Sequence, residues 1–134
     1  MLAGAFGCRR AQGEDSLAID SKHAISAWRV ETLDARVDRE LDDLDADLRA
    51  RFHWIAALLA EHGPQRVRAP YVKPLGGKLW EMRMKGKDNI ARAVYVAAIG
   101  RRLVVLHVFV KKTDKTPRAA LETATRRAKE AGLL

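Results

Sequence analysis

Two arginines in the second half of this 134-residue chain have the spacing of a cross-strand pair. Arg83 and Arg92 lie at equal distances from the middle of a turn-forming segment, residues 86–89, so an antiparallel hairpin would place them opposite each other. Facing arginines repel unless an anion or an acid lies between them. The pair could therefore hold a phosphate group. Alternatively, it could be two surface arginines beside Glu81, which lies on the same face of the predicted strand.

A second group of cations follows an apolar run further along the chain. Lys111 and Lys112 end that run. Lys115 and Thr116 come just before Pro117, a residue suited to the first turn of a helix. Because helix N-termini attract anions, this segment could also bind phosphate. The simpler interpretation is a basic loop in which the Thr116 side chain caps the helix.

Two lysines and a histidine near these groups are further candidates for contacts with a polyanion. Lys73 and Lys78 lie in loops beside the first predicted strand of this region, where they would extend a basic surface. His107 is a polar residue in an otherwise apolar run. A histidine in that setting is typical of a hydrogen-bonded core residue, and a catalytic role is the alternative.

The charge of the chain is distributed unevenly. Residues 1–63 carry 8 Lys or Arg and 12 Asp or Glu, whereas residues 64–134 carry 17 Lys or Arg and 5 Asp or Glu. The net charge of +8 is therefore concentrated in the second half. A nucleic acid that binds such a surface releases counterions from its phosphates. The distribution favours a nucleic-acid partner over a basic surface that serves only solubility.

Other kinds of chemistry find little support in the sequence. One cysteine, Cys8, and four scattered histidines do not have the spacing of a zinc site, so we expect no metal and no other cofactor. Gly76, Gly77 and Lys78 lack the spacing of a phosphate-binding P-loop. No run approaches the roughly 18 consecutive apolar residues of a membrane span. We therefore expect a cytoplasmic protein without a membrane partner.

A single α+β domain is predicted to position these residues. Residues 1–27 show no clear period and are expected to form a flexible extension, with a short helix near residues 16–24 as an alternative. The domain is predicted to span residues 28–131. It would consist of an N-terminal strand and a helical hairpin packed on an antiparallel β-sheet, followed by a C-terminal helix.

The boundaries of the elements follow from periodicity and from residues that begin or end helices. Asp34 is expected to cap the first helix, and Gly63 and Pro64 to end the second. Residues 64–77 are predicted to be a loop because they are rich in proline and glycine. The last predicted strand is apolar on both faces, which is typical of a central strand. The predicted strands span 28–33, 78–85, 90–98 and 103–110, and the last helix spans 117–131.

Five short segments, in a fixed order, carry a family resemblance. They are YVKPL at 71–75, LWEMR at 79–83, ARAVY at 91–95, HVFVKKT at 107–113 and KTP at 115–117. Together they resemble the HigB-like, phage-derived Gp49-like branch of the RelE/ParE toxin superfamily. The resemblance covers the chain from about Trp28 to Lys129. Each motif is short, but their number and order make the match fairly specific.

The resemblance implies a RelE-like fold and a metal-independent endoribonuclease that cuts mRNA, typically on the ribosome, and thereby inhibits translation. By motif position, Arg92 matches the family's strand arginine that contacts the scissile phosphate. Arg83 lies on a strand where related toxins carry a catalytic basic residue, and Lys111 and Lys112 fall where the C-terminal catalytic groups lie. RelE has a tyrosine near its end, but none follows Tyr95 here, so the general acid and base stay unassigned. Further contacts with RNA are expected from Lys73, Lys78, His107, Lys115 and Thr116.

The resemblance also implies partners, and two other functions stay open beside it. Toxins of this branch are held inactive by a cognate antitoxin, usually a helix-turn-helix protein of the HigA type, through which alone they would contact operator DNA. The mRNA and the ribosome would be the other partners. One alternative is a ParE-like toxin that inhibits gyrase. The other is a non-catalytic basic module that binds nucleic acid, such as a decayed toxin.

Overall fold

The computed structural model describes residues 27–111 and 116–134 of the chain. These residues form five strands and three helices, which confirms the predicted α+β class. In chain order the elements are β1 (Arg29–Thr32), α1 (Ala35–Asp42), α2 (Ala46–His62), β2 (Val72–Gly76), β3 (Leu79–Lys85), β4 (Ile90–Ala98), β5 (Arg102–Lys111) and α3 (Arg118–Glu130). The predicted extension, apart from its last residue, lies outside the described residues, as does the predicted short helix within it.

The five strands form one mixed sheet in the order β1-β5-β4-β3-β2. β1 pairs with β5 in parallel, and the other neighbours are antiparallel. The central strand is therefore β4, and the prediction that the 103–110 strand is central is wrong. That strand is apolar on both faces because the sheet has a hydrophobic core on each side. Its pattern reflects this coverage and not its place in the strand order.

A strand within residues 64–77 was not predicted. Val72–Gly76 forms β2 and pairs with β3, with a change of register between Pro74 and Gly76. Proline and glycine made the segment look like a loop. An edge strand tolerates a proline because one side of its backbone needs no ladder partner, and a glycine accommodates the irregular register. The prediction of a loop is therefore wrong for these five residues.

The helix starts follow the predictions in one case and depart from them in another. The Asp34 side chain accepts the backbone N–H of Arg36 at 3.0 Å, so Asp34 caps α1 as predicted. At α3 the N-cap position belongs to Pro117, whose backbone is extended. The prediction that Thr116 caps this helix is wrong, because its hydroxyl group donates to Glu81 instead.

Helices cover the two faces of the sheet and create two hydrophobic cores. α1 and α2 supply side chains to the larger core, which includes Phe52, Ile55, Met82 and Tyr95. α3 packs its alanines on the opposite face. The smaller core there contains Leu79, Val94, Val96, Val104, Leu106, Ala124 and Ala128. The remainder of this second face, towards the end of β5, carries the charged residues singled out in the sequence.

Candidate functional site

Registered side chains from β3, β4 and β5 form three rows on the face of the sheet that α3 partly covers. Strand partners point to the same side of a sheet and lie close together, so each row is a line of neighbours. The middle row confirms the predicted pairing of Arg83 with Arg92. The rows are Glu81–Val94–His107, Arg83–Arg92–Phe109 and Lys85–Ile90–Lys111. We call the surface made by Glu81, Arg83, Arg92, Phe109, Lys111 and Thr116 the cationic face.

Glu81 lies at the centre of the cationic face and is only 2% exposed. Its Oε2 atom is 3.3 Å from Nε of Arg92 and 3.9 Å from Nε of Arg83. Its Oε1 atom accepts a hydrogen bond from the hydroxyl group of Thr116 at 2.6 Å. The acid that the sequence suggested between the two arginines is therefore present. One carboxylate therefore faces two guanidinium groups.

The two arginines differ in their access to solvent. Arg92 is 3% exposed, so the interpretation of the pair as two surface arginines is wrong for this residue. The side chain of Arg83 is 33% exposed. A buried charge is tolerated only when it is paired and hydrogen-bonded, so Arg92 and Glu81 depend on each other for stability. Arg83 is the member of the pair that can reach a ligand from solvent without disrupting the core.

The other predicted site residues are divided between this face and other places. Lys111 ends β5 on the cationic face and is 4% exposed. Lys73 is exposed and is the strand partner of Glu81 on β2, so it borders the face. Lys78 is exposed in the turn before β3. It lies five residues before Arg83, so the sheet does not bring it next to the two arginines. Lys112 and Lys115 lie outside the described residues.

His107 is held by a group of residues that the sequence did not indicate. Its Nδ1 atom lies 3.1 Å from Oε1 of Glu40, so this nitrogen donates to the carboxylate. The same oxygen accepts the backbone N–H of Val108 at 2.9 Å, and Oε2 lies 3.0 Å from Nη2 of Arg127. Arg127 also donates to the carbonyl oxygen of Leu106 at 2.9 Å. We call Glu40, His107 and Arg127 the Glu40 cluster, and it joins α1, β5 and α3.

Both carboxylate oxygens of Glu40 have hydrogen-bond donors in the Glu40 cluster. Partial burial raises the pKa of the Glu40 carboxyl, but hydrogen bonds from His107, Arg127 and the Val108 amide outweigh burial and lower this pKa from 4.5 to about 2. The cluster lies where β5 extends beyond the last residue of β1, so Glu40 and Arg127 bind backbone groups that have no strand neighbour on that side. The prediction that His107 is a hydrogen-bonded residue of the core agrees with these contacts.

The hairpin that carries the arginines is fixed at its turn by the start of α2. Oδ2 of Asp47 accepts the backbone N–H of Lys87 at 2.6 Å, and Oδ2 of Asp45 accepts the side-chain amide of Asn89 at 2.9 Å. Gly86 lies so close to α2 that a Cβ atom there would be 2.6 Å from Oδ2 of Asp47. These contacts anchor the end of the hairpin three residues beyond Arg83, and so support the register of the two arginines.

Two kinds of feature are absent from residues 27–111 and 116–134. No group of three or more His, Cys, Asp or Glu residues in these ranges could hold a metal ion. Within the same part of the chain, no helix has both the length and the apolar character needed to cross a membrane.

Comparisons with known proteins match most of the chain to one family. The family model described as "Phage derived protein Gp49-like (DUF891)" matches residues 39–129. No curated protein matches the chain. Among solved structures, the chain is similar to one in the archaeal RelE–RelB complex from Pyrococcus horikoshii OT3, with 23% identity and a TM-score of 0.46. That alignment covers 61% of this chain and 92% of the archaeal chain.

Proposed function

The chain belongs to the phage-derived Gp49-like family, a family of RelE-like toxins, and on this premise we propose that it is the toxin of a type II toxin–antitoxin system and cleaves mRNA without a metal ion. The single observation that carries the proposal is the arrangement of Arg83 and Arg92 around Glu81 on the cationic face. It combines two guanidinium groups, one of them partly exposed, with a carboxylate that can accept a proton.

The proposed reaction is attack of a ribose 2′-oxygen on the adjacent phosphorus. The new O–P bond forms as the bond from phosphorus to the 5′-oxygen breaks, giving a 2′,3′-cyclic phosphate and a 5′-hydroxyl. One proton must leave the 2′-hydroxyl and one must reach the 5′-oxygen. Negative charge develops on the phosphate during the attack, and fixed guanidinium donors stabilise it. Arg83 takes this role by direct contact, and the buried Arg92 contributes its positive charge from the neighbouring strand.

Glu81 is the proposed acceptor of the 2′-hydroxyl proton. Its Oε1 atom already accepts a hydrogen bond from the Thr116 hydroxyl group at 2.6 Å. This distance is within the range expected between a general base and the hydroxyl group of its substrate. A ribose hydroxyl that replaced the Thr116 hydroxyl would meet the same geometry. Lys111 and Lys112 are the proposed donors of the proton that reaches the leaving 5′-oxygen.

RNA on the ribosome is the proposed substrate, and the exposed cations around the site are the proposed contacts. Lys73 borders Glu81 across β2, and it can neutralise a phosphate next to the one that is cut. Lys115 and Thr116 are proposed to contact the same strand of RNA, with Lys78 further away. A helix-turn-helix antitoxin of the HigA type is the proposed partner, and operator DNA would be bound through it.

The proposal is tested most cleanly at Arg83, because Arg92 is buried. Arg92→Ala would leave the buried Glu81 charge with less compensation, and a loss of roughly 3–5 kcal/mol in stability would confuse the result. Arg83→Ala removes a partly exposed cation. We expect it to slow cleavage of ribosome-bound mRNA by about 100-fold, as the loss of one donor to a developing charge does. Cleavage is measured by primer extension with the purified full chain.

Arg29→Ala is the matched control for this experiment. Arg29 is 74% exposed and pairs with Arg102 at the start of β5, which places it roughly 30 Å from Lys111 along the strand. The control removes the same charge and should cut at the wild-type rate. Equal rates for Arg83→Ala and Arg29→Ala would contradict the assignment.

If induction of the wild-type chain left mRNA intact but stopped DNA supercoiling, a gyrase-directed toxin would replace this proposal.

A further inference from the structure

An aromatic stack lies beside the arginines of the cationic face. The rings of His107 and Phe109 have centroids 5.1 Å apart and an angle of 26° between their planes. Both residues are partly exposed, and the His107 side chain is 17% exposed. Phe109 also packs against the smaller core beneath α3. The two rings therefore form a stacked pair that is partly accessible to solvent.

The position of Phe109 relative to the phosphate site is set by the sheet. Phe109 is the strand partner of Arg92, and Arg92 is the partner of Arg83, so all three lie in one row. Partners in a row are about 5 Å apart at their Cα atoms. A group bound on the Phe109 ring would therefore be a direct neighbour of a phosphate bound at the arginines. In a nucleotide, the base is the flat aromatic group, and one ribose separates it from the phosphate.

The orientation of the stack is fixed from its far side by the Glu40 cluster. Glu40 binds the His107 ring through Nδ1, and Arg127 binds Glu40 and the backbone of β5. The His107 ring is thus held against Phe109 by groups from α1 and α3. A platform that is rigid before the ligand arrives loses less conformational entropy on binding. Glu40 and Arg127 act here as positioning residues.

A purely structural role for Phe109 is the competing interpretation. A ring at the end of a small core shields alanine and leucine side chains from water, and leucine would do this nearly as well. Stacking with a base needs an aromatic ring, because each base presents a π-face to it. The two roles therefore differ in how they respond to replacement of the ring by an aliphatic side chain of similar size.

We propose that the Phe109 ring, backed by His107, stacks with an RNA base next to the phosphate held at Arg83 and Arg92. The proposal deepens the proposed function and rests on it for the identity of the ligand as RNA. Stacking of this kind is tolerant of sequence, so the platform adds affinity for single-stranded RNA without selecting one base strongly.

The test uses two probes that the proposed reaction cannot cleave, so it reads binding alone. One is a short 2′-O-methyl oligoadenylate with a fluorescent label. The other is a backbone of the same length and phosphate number in which every position lacks its base. Affinities for the purified full chain are measured by fluorescence anisotropy. We expect the wild-type chain to bind oligoadenylate about tenfold more tightly than the abasic probe, the order of magnitude measured for one stacked base.

The variants separate the ring from the charge. Phe109→Leu should weaken oligoadenylate binding about tenfold and leave abasic binding within about twofold, whereas Phe109→Trp should keep the wild-type preference. Arg83→Ala should weaken both probes, which tests the phosphate site independently of the platform. The platform is overturned if Phe109→Leu weakens both probes equally or neither of them. It is also overturned if the wild-type chain holds the two probes equally or binds neither.

Discussion

Two paired carboxylates, the partly buried Glu40 and the buried Glu81, are surrounded in different ways. Glu40 accepts from the imidazole of His107 at 3.1 Å and from the backbone amide of Val108 at 2.9 Å. The guanidinium of Arg127 contacts its two oxygens at 3.0 and 3.2 Å. Glu81 receives one short hydrogen bond, from Thr116, while its two arginines stand at 3.3 and 3.9 Å. The first carboxylate accepts hydrogen bonds from donors on two elements, β5 and α3. The second faces two arginines and keeps a hydroxyl that a substrate could replace.

The difference teaches that a buried glutamate paired with arginine is not by itself a sign of function. Glu40 connects α1 and α3 to the part of β5 that extends beyond β1. Its partner Arg127 takes part in this connection, because it also donates to a carbonyl oxygen of β5. At Glu81, the side chain of Arg83 is 33% exposed and its Nε atom lies 3.9 Å from the carboxylate, so it is open to an anion from solvent. This access is the basis for proposing chemistry at Glu81 and support at Glu40.

The largest contrast is expected when the same substitution is made at both carboxylates. Glu81→Gln keeps the shape of the side chain but removes its basicity, so cleavage by the folded protein should fall about 100-fold or more. Glu40→Gln should lower cleavage by about tenfold at most, because the residue touches no reacting atom and acts only by positioning the His107 ring. Initial rates of mRNA cleavage are compared at a temperature where both variants are folded. A greater loss of rate in the Glu40 variant would reverse the assignment.

The next contrast concerns stability and its dependence on pH. Because the pKa of Glu40 falls from 4.5 to about 2 on folding, its ionised form stabilises the native state above pH 4.5, and this contribution is lost as pH falls towards 2. The shift corresponds to about 3 kcal/mol. We expect Glu40→Gln to lose an amount of this order at neutral pH and to show a shallower decline in acid. Urea unfolding at several pH values measures both, and a variant with the wild-type pH slope would refute this account.

The smallest effect is expected at the turn that holds the arginine hairpin. A methyl group at Gly86 would approach Oδ2 of Asp47 to 2.6 Å and Cδ2 of Leu48 to 2.8 Å, so Gly86→Ala must displace these side chains or the turn. Steric overpacking of this kind costs about 1–3 kcal/mol. Thermal unfolding measures the loss, and Gly77→Ala is not a suitable control because Gly77 has a positive φ of 57°. Lys87→Ala, an exposed change in the same turn, should unfold at nearly the wild-type temperature.

Local sequence patterns predicted the parts of the site that depend on neighbours in the chain. The pairing of Arg83 with Arg92 could be predicted because one short turn joins their strands, and alternation placed Glu81 on their face. The Glu40 cluster could not be predicted, since its hydrogen bonds connect residues 67 and 87 positions apart. A polar His107 in an apolar strand signalled only that some partner was needed. The burial of Arg92 was likewise invisible, because it depends on packing between elements.

The central claim is that the chain cuts RNA by attack of a 2′-hydroxyl group at the cationic face. The most direct measurement maps the cleavage of a ribosome-bound mRNA by the purified wild-type chain, then repeats it with a single 2′-deoxynucleotide on the 5′ side of the mapped bond. The account predicts a 2′,3′-cyclic phosphate at the cut in the first RNA and no cut at that bond in the second. An mRNA that stays intact, or one that is cut equally with and without that hydroxyl, would contradict it.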